Sequence, residues 1–256
     1  MKNIKLILSY DGTNYHGWQR QNKDISVQEV LEDACKKLFN QEVKTKGAGR
    51  TDAGVHALGQ CASLVVDTQI PVEKIPLALN KILPMDIVVT QAEIMPLEFH
   101  PQYAAKKKIY QYQIVNAGFP IPQLRNYAYF VYTPLNVEAM NQAAQEFVGT
   151  HDFIGFCSSR NTKKITERTI YYANVVQDKE LITFEICGDG FLYNMVRIMV
   201  GTLIEIGTGK LEPTFIKEII KSKERKNAGD TVPPFGLTMC EIEYEAKGVK
   251  YIPDVP

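Results

Sequence analysis

Thr169-Ile-Tyr-Tyr-Ala-Asn-Val-Val176, Leu181-Ile-Thr-Phe-Glu-Ile-Cys187 and Gly190-Phe-Leu-Tyr-Asn-Met-Val-Arg-Ile-Met-Val-Gly-Thr-Leu203 together decide the fold class. The first two runs are rich in β-branched and aromatic residues and read as strands. In the third, Phe191, Leu192, Met195, Val196, Ile198, Met199, Val200 and Leu203 cover nearly the whole circumference of a helix, so the spacing predicts a buried helix from Phe191 to about Ile206. Working outward, Tyr127–Tyr132 is strand-like and Val137–Phe147 is an amphipathic helix. Pro213–Lys221 reads as a short helix, and Leu237–Tyr244 as a strand.

The first half uses the same grammar. Ile4–Ser9 is a strand ended by the Asp11-Gly12 turn. Ser26 and Glu29 form a capping box, and Val27, Val30, Leu31, Ala34, Cys35 and Leu38 follow on one helical stripe. Strands are expected at Glu42–Lys46, Cys61–Val66, Ile87–Ile94 and Tyr110–Val115, with a helix over Pro71–Lys81. Strand–helix–strand–strand units in both halves predict an α+β protein of two ferredoxin-like domains. The chain is expected to cross between them within Pro101–Lys108, which divides it into 1–105 and 106–256.

Length allows that division, since 256 residues make one large domain or two of about 130 each. Lys plus Arg and Asp plus Glu both number 29, so the net charge is zero. A nucleic-acid function must then rest on local basic patches rather than on a global field. The five cysteines are dispersed, without a Cys-x-x-Cys, and the four histidines are scattered, so no metal site is expected. The first ten residues do not read as a signal peptide, and no apolar run approaches the ~20 residues of a membrane span. A cytoplasmic protein with free thiols is expected.

The chemistry centres on Gly47-Ala-Gly-Arg-Thr-Asp-Ala-Gly-Val-His-Ala57. A single carboxylate, Asp52, lies among glycines with Arg50 two residues before it. A neighbouring cation keeps an acid ionised, as a nucleophile or base requires. The plainer alternative is a structural turn, with Asp52 capping a following helix or bonding its own backbone. Dinucleotide and phosphate-loop patterns fail here: Asp52 takes the third glycine position, no Gly-Lys-Ser/Thr follows, and a carboxylate would repel phosphate. Cys61 and His56 show no spacing suited to a thiol nucleophile, and Cys61 heads an apolar strand.

Arg197 interrupts the buried helix. A guanidinium cannot shed its charge, so it needs a partner: Glu205, Asp189 or water on one reading, Asp52 on the other. Lys106-Lys107-Lys108-Ile-Tyr110-Gln-Tyr112 reads as either phosphate contacts beside stacking aromatics or a solvated charge run before core tyrosines. Smaller basic groups occur at Arg160, Lys163, Lys164 and Arg168, and from Lys217 to Lys226. Trp18, near Arg20, reads as either part of a stacking loop or a core residue.

In order along nearly the whole chain, these segments resemble the bacterial tRNA pseudouridine synthase A family. The matching pieces are Ser9-Tyr-Asp-Gly-Thr, Gly17-Trp-Gln-Arg, Gly49-Arg-Thr-Asp-Ala-Gly-Val-His-Ala, Leu83-Pro-Met-Asp-Ile, Phe99-His, Lys108-Ile-Tyr-Gln-Tyr, His151-Asp-Phe, Arg168-Thr-Ile, Gly190-Phe-Leu-Tyr-Asn-Met-Val-Arg and Pro234-Phe-Gly-Leu. The resemblance implies two α/β domains with a continuous central, mainly antiparallel sheet, a basic cleft between them, and a homodimer. It implies conversion of uridine to pseudouridine at positions 38, 39 and 40 of the tRNA anticodon stem-loop, without metal or cofactor. By position Asp52 is similar to the family's essential aspartate, Tyr110 to its active-site tyrosine and Arg197 to the arginine pairing with that aspartate. Arg50 matches the residue that helps displace the target base, and Leu237 the apolar wall of the pocket. Lys108, Arg168 and Arg20 fall in matching segments as substrate contacts. One departure is Phe99-His-Pro-Gln, where the family commonly reads Phe-His-Ala-Arg.

Overall fold

Alternating burial along Lys2–Tyr10 (β1) sets the frame of the first part of the chain, with Ile4, Leu6, Leu8 and Tyr10 facing the core. The computed structural model describes residues 1–158 and 165–244. The basic group at Arg160, Lys163 and Lys164, and the tail after Tyr244, lie outside the described residues. The chain forms two compact units, one of residues 1–106 together with the segment from Met239, the other of residues 107–238. The last strand thus belongs largely with the first unit, whereas the sequence reading assigned all of 106–256 to the second.

In the first unit β1 lies between His56–Val66 (β3) and Ile87–Met95 (β4), antiparallel to both. Thr45–Gly47 (β2) also pairs with β3, and Leu237–Tyr244 (β10) follows β3 in the strand order. The helix Val27–Phe39 (α1) starts where Ser26 Oγ accepts the Glu29 N–H, and ends at Asn40 in a left-handed conformation. The expected helix over 71–81 is divided into a single turn, Val72–Lys74, and Ile75–Asn80 (α2). Pro76 is the cause. It has no N–H to give the carbonyl four residues back, and its ring crowds that carbonyl.

In the second unit the order is Ala105–Asn116 (β5), Leu181–Gly188 (β9), Glu167–Asp178 (β8) and Gly149–Asp152 (β7), all antiparallel. Tyr129–Val131 (β6) runs parallel to β5. The register Tyr110↔Ile186, Tyr112↔Phe184, Ile114↔Ile182 places all six side chains on one face, where all are buried. The helices are Val137–Gln145 (α3), Met195–Gly207 (α4) and Phe215–Ser222 (α5). α4 is apolar almost all round, as expected, but begins at Met195 rather than Phe191. Asn194 at φ 60° is the reason, because a left-handed residue cannot sit inside a right-handed helix. Both units are mixed α+β with mainly antiparallel sheets. Among the described residues no helix is long and apolar enough to cross a membrane.

Candidate active site

Asp52 opens a tight turn closed by the Val55 N–H on its own carbonyl at 3.1 Å. Gly54 supplies the positive φ (77°) that the third position of such a turn demands. Strand β3 follows, not a helix, so the helix-capping reading of Asp52 is set aside. The Asp52 side chain is half-buried, Thr51 before it is buried, and Arg50 is exposed.

The loop is held from two directions within the first unit. From β1, the Tyr10 hydroxyl lies 2.8 Å from Thr51 Oγ1. The pairing of β1 with β3 shifts register between Leu8 and Tyr10, and such an irregularity re-aims the side chain beside it. Burial pushes the Tyr10 phenol up to about 12, partly opposed by hydrogen bonds to Thr51 and Gln60, so it stays protonated at neutral pH. Gln60 Nε2 donates to the Gly49 carbonyl at 2.9 Å. From the 11–18 loop, the Trp18 N–H donates to the Thr51 carbonyl (3.1 Å), and the Gly54 N–H donates to the Tyr15 carbonyl (3.2 Å). This approach requires Gly17, whose φ is 80°. A Cβ there would stand 2.3 Å from the Thr51 carbonyl oxygen.

Trp18 is fully buried and stacks on Tyr10, with ring centroids 6.3 Å apart. It is a core residue under the loop rather than a stacking platform. Arg20, an exposed candidate contact, faces the acidic side of α1, with Glu32 at 3.0 Å, Glu29 at 3.5 Å and Asp33 at 3.9 Å. Burial pushes the Cys61 thiol up to about 11, which removes it as a nucleophile near neutral pH.

The other candidates lie in the second unit. Tyr110, on β5, is buried and meets the ring of Phe191 edge-on at 5.1 Å. Lys108 stands two residues earlier on that strand, half-buried. Burial first, and then the Arg168 guanidinium, pull its pKa below the usual lysine range, with Asp189 acting in the opposite sense. Arg168 Nη1 donates to the carbonyls of Ile165 (2.8 Å) and Glu167 (2.5 Å). Leu237 is buried at the head of β10.

Arg197, the third residue of α4, is half-buried. Its Nε donates to the Val232 carbonyl at 2.8 Å and its Nη1 to Asn194 Oδ1 at 2.9 Å. The carbonyl of Pro233, next along, accepts the Tyr112 hydroxyl at 2.7 Å. Burial pushes the Tyr112 phenol far up, with Arg197 pulling the other way. This segment is locked to α4, because Thr202 Oγ1 accepts the Gly229 N–H at 3.0 Å while donating to the Ile198 carbonyl at 2.9 Å.

Sequence reading missed the supporting residues Tyr10, Gln60, Asn194, Tyr112 and the Val232 carbonyl. Asn194 was visible as the polar residue opening an apolar helix. A backbone carbonyl leaves no trace in sequence. Among the described residues no cluster of three or more His, Cys, Asp or Glu side chains could hold a metal ion.

A family model described as tRNA pseudouridine synthase matches residues 6–104 and 143–245. The tRNA pseudouridine synthase A of Thermoanaerobacter sp. (strain X514) is 49% identical over 244 residues, covering 95% of this chain and 100% of that protein. Those of Acetivibrio thermocellus and Clostridium acetobutylicum are 48% and 43% identical, with the same two coverages. Among solved structures, an H/ACA ribonucleoprotein bound to a substrate RNA containing 2′-deoxyuridine matches at a TM-score of 0.36 and 13% identity, covering 79% of this chain and 44% of that one. That likeness is too slight to bear on the argument. The family match defines an RNA-modifying isomerase. The chain belongs to the tRNA pseudouridine synthase family, whose reaction converts uridine to pseudouridine in tRNA.

Proposed function

We propose that this isomerase acts on uridines 38, 39 and 40 of the tRNA anticodon stem-loop, with Asp52 as its nucleophile. The observation that carries the proposal is the Asp52 turn itself. Its backbone is fixed by Tyr15, Trp18 and Val55, it follows an exposed arginine, and it lies within Gly49-Arg-Thr-Asp-Ala-Gly-Val-His. A carboxylate held at such a turn is pre-positioned, and positioning accounts for much of the rate in reactions of this kind.

The reaction breaks the bond from the ribose to uracil nitrogen 1, turns the ring, and joins the ribose to carbon 5, which then loses its proton. Atoms and electrons balance without a co-reactant. Addition of Asp52 to the ring, addition to the sugar, and passage through a glycal-like intermediate share one requirement, an ionised acid within reach of the everted base. Eversion costs on the order of a few kcal/mol. In this reading Arg197 holds the charge of Asp52, Arg50 fills the place of the displaced base, and Tyr110 stacks on the uracil and relays the carbon 5 proton. Leu237 lines the pocket. Lys108, Arg168 and Arg20 contact the RNA. The pocket lies in a basic cleft beside a continuous sheet, and the working form is a cytoplasmic homodimer.

The test is release of tritium from tRNA labelled at uridine carbon 5. Asp52→Asn is expected to abolish release while leaving tRNA binding within a few fold. Full release by that variant would defeat the assignment of the nucleophile. Loss of pseudouridine at positions 38–40 in a strain lacking the gene tests the substrate, and retention there would defeat it.

A further inference from the structure

Asn194 occupies the N-cap of α4, yet its side chain does not cap the helix. An asparagine in that place ordinarily takes an extended backbone and accepts a backbone N–H from the first turn. Here the backbone is left-handed, at φ 60°, and the side chain is used elsewhere. Its Oδ1 accepts from Arg197 Nη1 at 2.9 Å, and its Nδ2 donates to Ser158 Oγ at 2.7 Å. The orientation of the amide is fixed by chemistry, since a guanidinium can only donate. Conformation alone does not account for the residue, because glycine adopts the left-handed region at lower cost.

Resting on the reading in which Arg197 stabilises Asp52, we infer that Asn194 is a positioning residue for the Arg197 guanidinium. The Val232 carbonyl holds Nε and Asn194 holds Nη1, so two points fix the guanidinium plane, and a plane set by two bonds cannot swing about the side-chain axis. Ser158 in turn fixes the Asn194 amide. The asparagine thus converts a long, flexible side chain into one with a single direction, before any substrate is bound.

The experiment compares three variants on tRNA under single-turnover and steady-state conditions. Asn194→Gly keeps the left-handed backbone and removes the acceptor. It is expected to retain its Tm within a few degrees, to keep KM, and to lose roughly tenfold to a hundredfold in kcat, the scale of a hydrogen bond to a charged group. Asn194→Asp keeps an acceptor oxygen and is expected to restore kcat to within a few fold of the parent. Asp52→Asn serves as the reference for the underlying reading. Parental kcat in Asn194→Gly, with Asp52→Asn inactive, overturns the inference and leaves that reading standing. A loss confined to KM, or equal losses in the Gly and Asp variants, overturns the inference too. Full activity in Asp52→Asn sinks the reading itself.

Discussion

Replacing Gly17 by alanine tests whether contact with the 11–18 loop is what fixes Asp52. At φ 80° the new side chain suffers left-handed strain of about 1–2 kcal/mol. Its Cβ would also stand 2.3 Å from the Thr51 carbonyl oxygen and 3.0 Å from the Asp52 carbonyl carbon. Restoring a 3.0 Å separation from that oxygen moves one strand of the loop by at least 3.0 − 2.3 = 0.7 Å, and the atoms that must move include the backbone of Asp52. The Trp18 N–H to Thr51 bond stretches as well, adding about 0.5–1.5 kcal/mol. Misplacement of a reacting group by ~1 Å can cost about a hundredfold in rate, so a loss of at least tenfold in single-turnover tritium release is expected. Gly209 provides the control, with a φ of 77° and nothing within 4 Å of a Cβ placed there. Gly209→Ala should show the strain as a lower Tm and keep the parental rate. If folded Gly17→Ala reacts at the parental rate, or if Gly209→Ala slows equally, loop contact does not fix the acid and the reasoning fails.

Two further outcomes are expected. Burial lifts the thiols of Cys61 and Cys35 to about 11 and about 12 from an ordinary 9.0. Their contribution to stability is complete below pH 9 and is lost as the pH rises through the folded values, because the unfolded chain sheds these protons first. The urea midpoint should therefore fall between pH 9 and 11, and less so in Cys61→Ala relative to its own neutral-pH midpoint. An equal fall in that variant would refute the assignment to this thiol. Lys108 is half-buried beside Arg168, so Lys108→Met removes a like-charge neighbour as well as the proposed phosphate contact. Its Tm should stay level or rise, while KM for tRNA rises and the slope of log affinity against log salt flattens by about one. An unchanged slope would remove Lys108 from the RNA contacts.

Local pattern revealed what local physics controls. The stripe from Val27 to Leu38, the alternation in β1 and β5 and the apolar circumference of α4 are each decided within a few turns or strand repeats, and all were legible. So was the Asp52 loop, because turn glycines and a lone acid leave a local signature. The split helix at Pro76 was missed for want of weight on one missing N–H. Strand β7 is short, and three of its four residues, Thr150, His151 and Asp152, are polar or charged, so only its pairing with β8 marks it. Long-range features were invisible: the register shift that aims Tyr10 at Thr51 depends on a partner strand about 50 residues away. The placement of β10 beside β3 depends on one about 180 residues away.

The supports of the candidate residues share a form that explains why their identity was harder to read than that of the residues they hold. Asp52 is fixed through backbone groups of Thr51, Gly54 and Val55, and Arg197 through the carbonyl of Val232 and one side-chain amide. Backbone groups are present at every position, so the sequence reveals them only through what allows them to approach, such as Gly17 against Thr51 and the hydroxyl of Thr202 against Gly229. A backbone frame also cannot be titrated, and it has no rotamer to lose. A reaction that turns a base within its site needs its charges stationary while the substrate moves, and such a frame meets that need better than side chains would. Side chains also brace the frame, as Tyr10 and Gln60 do at the Asp52 loop, but at Asn194 the backbone accepts a left-handed conformation and leaves its usual cap unmade in order to supply one. Asn194→Gly should therefore act on rate well beyond its effect on stability and Gly17→Ala on both together, whereas equally strained positions elsewhere act on stability alone.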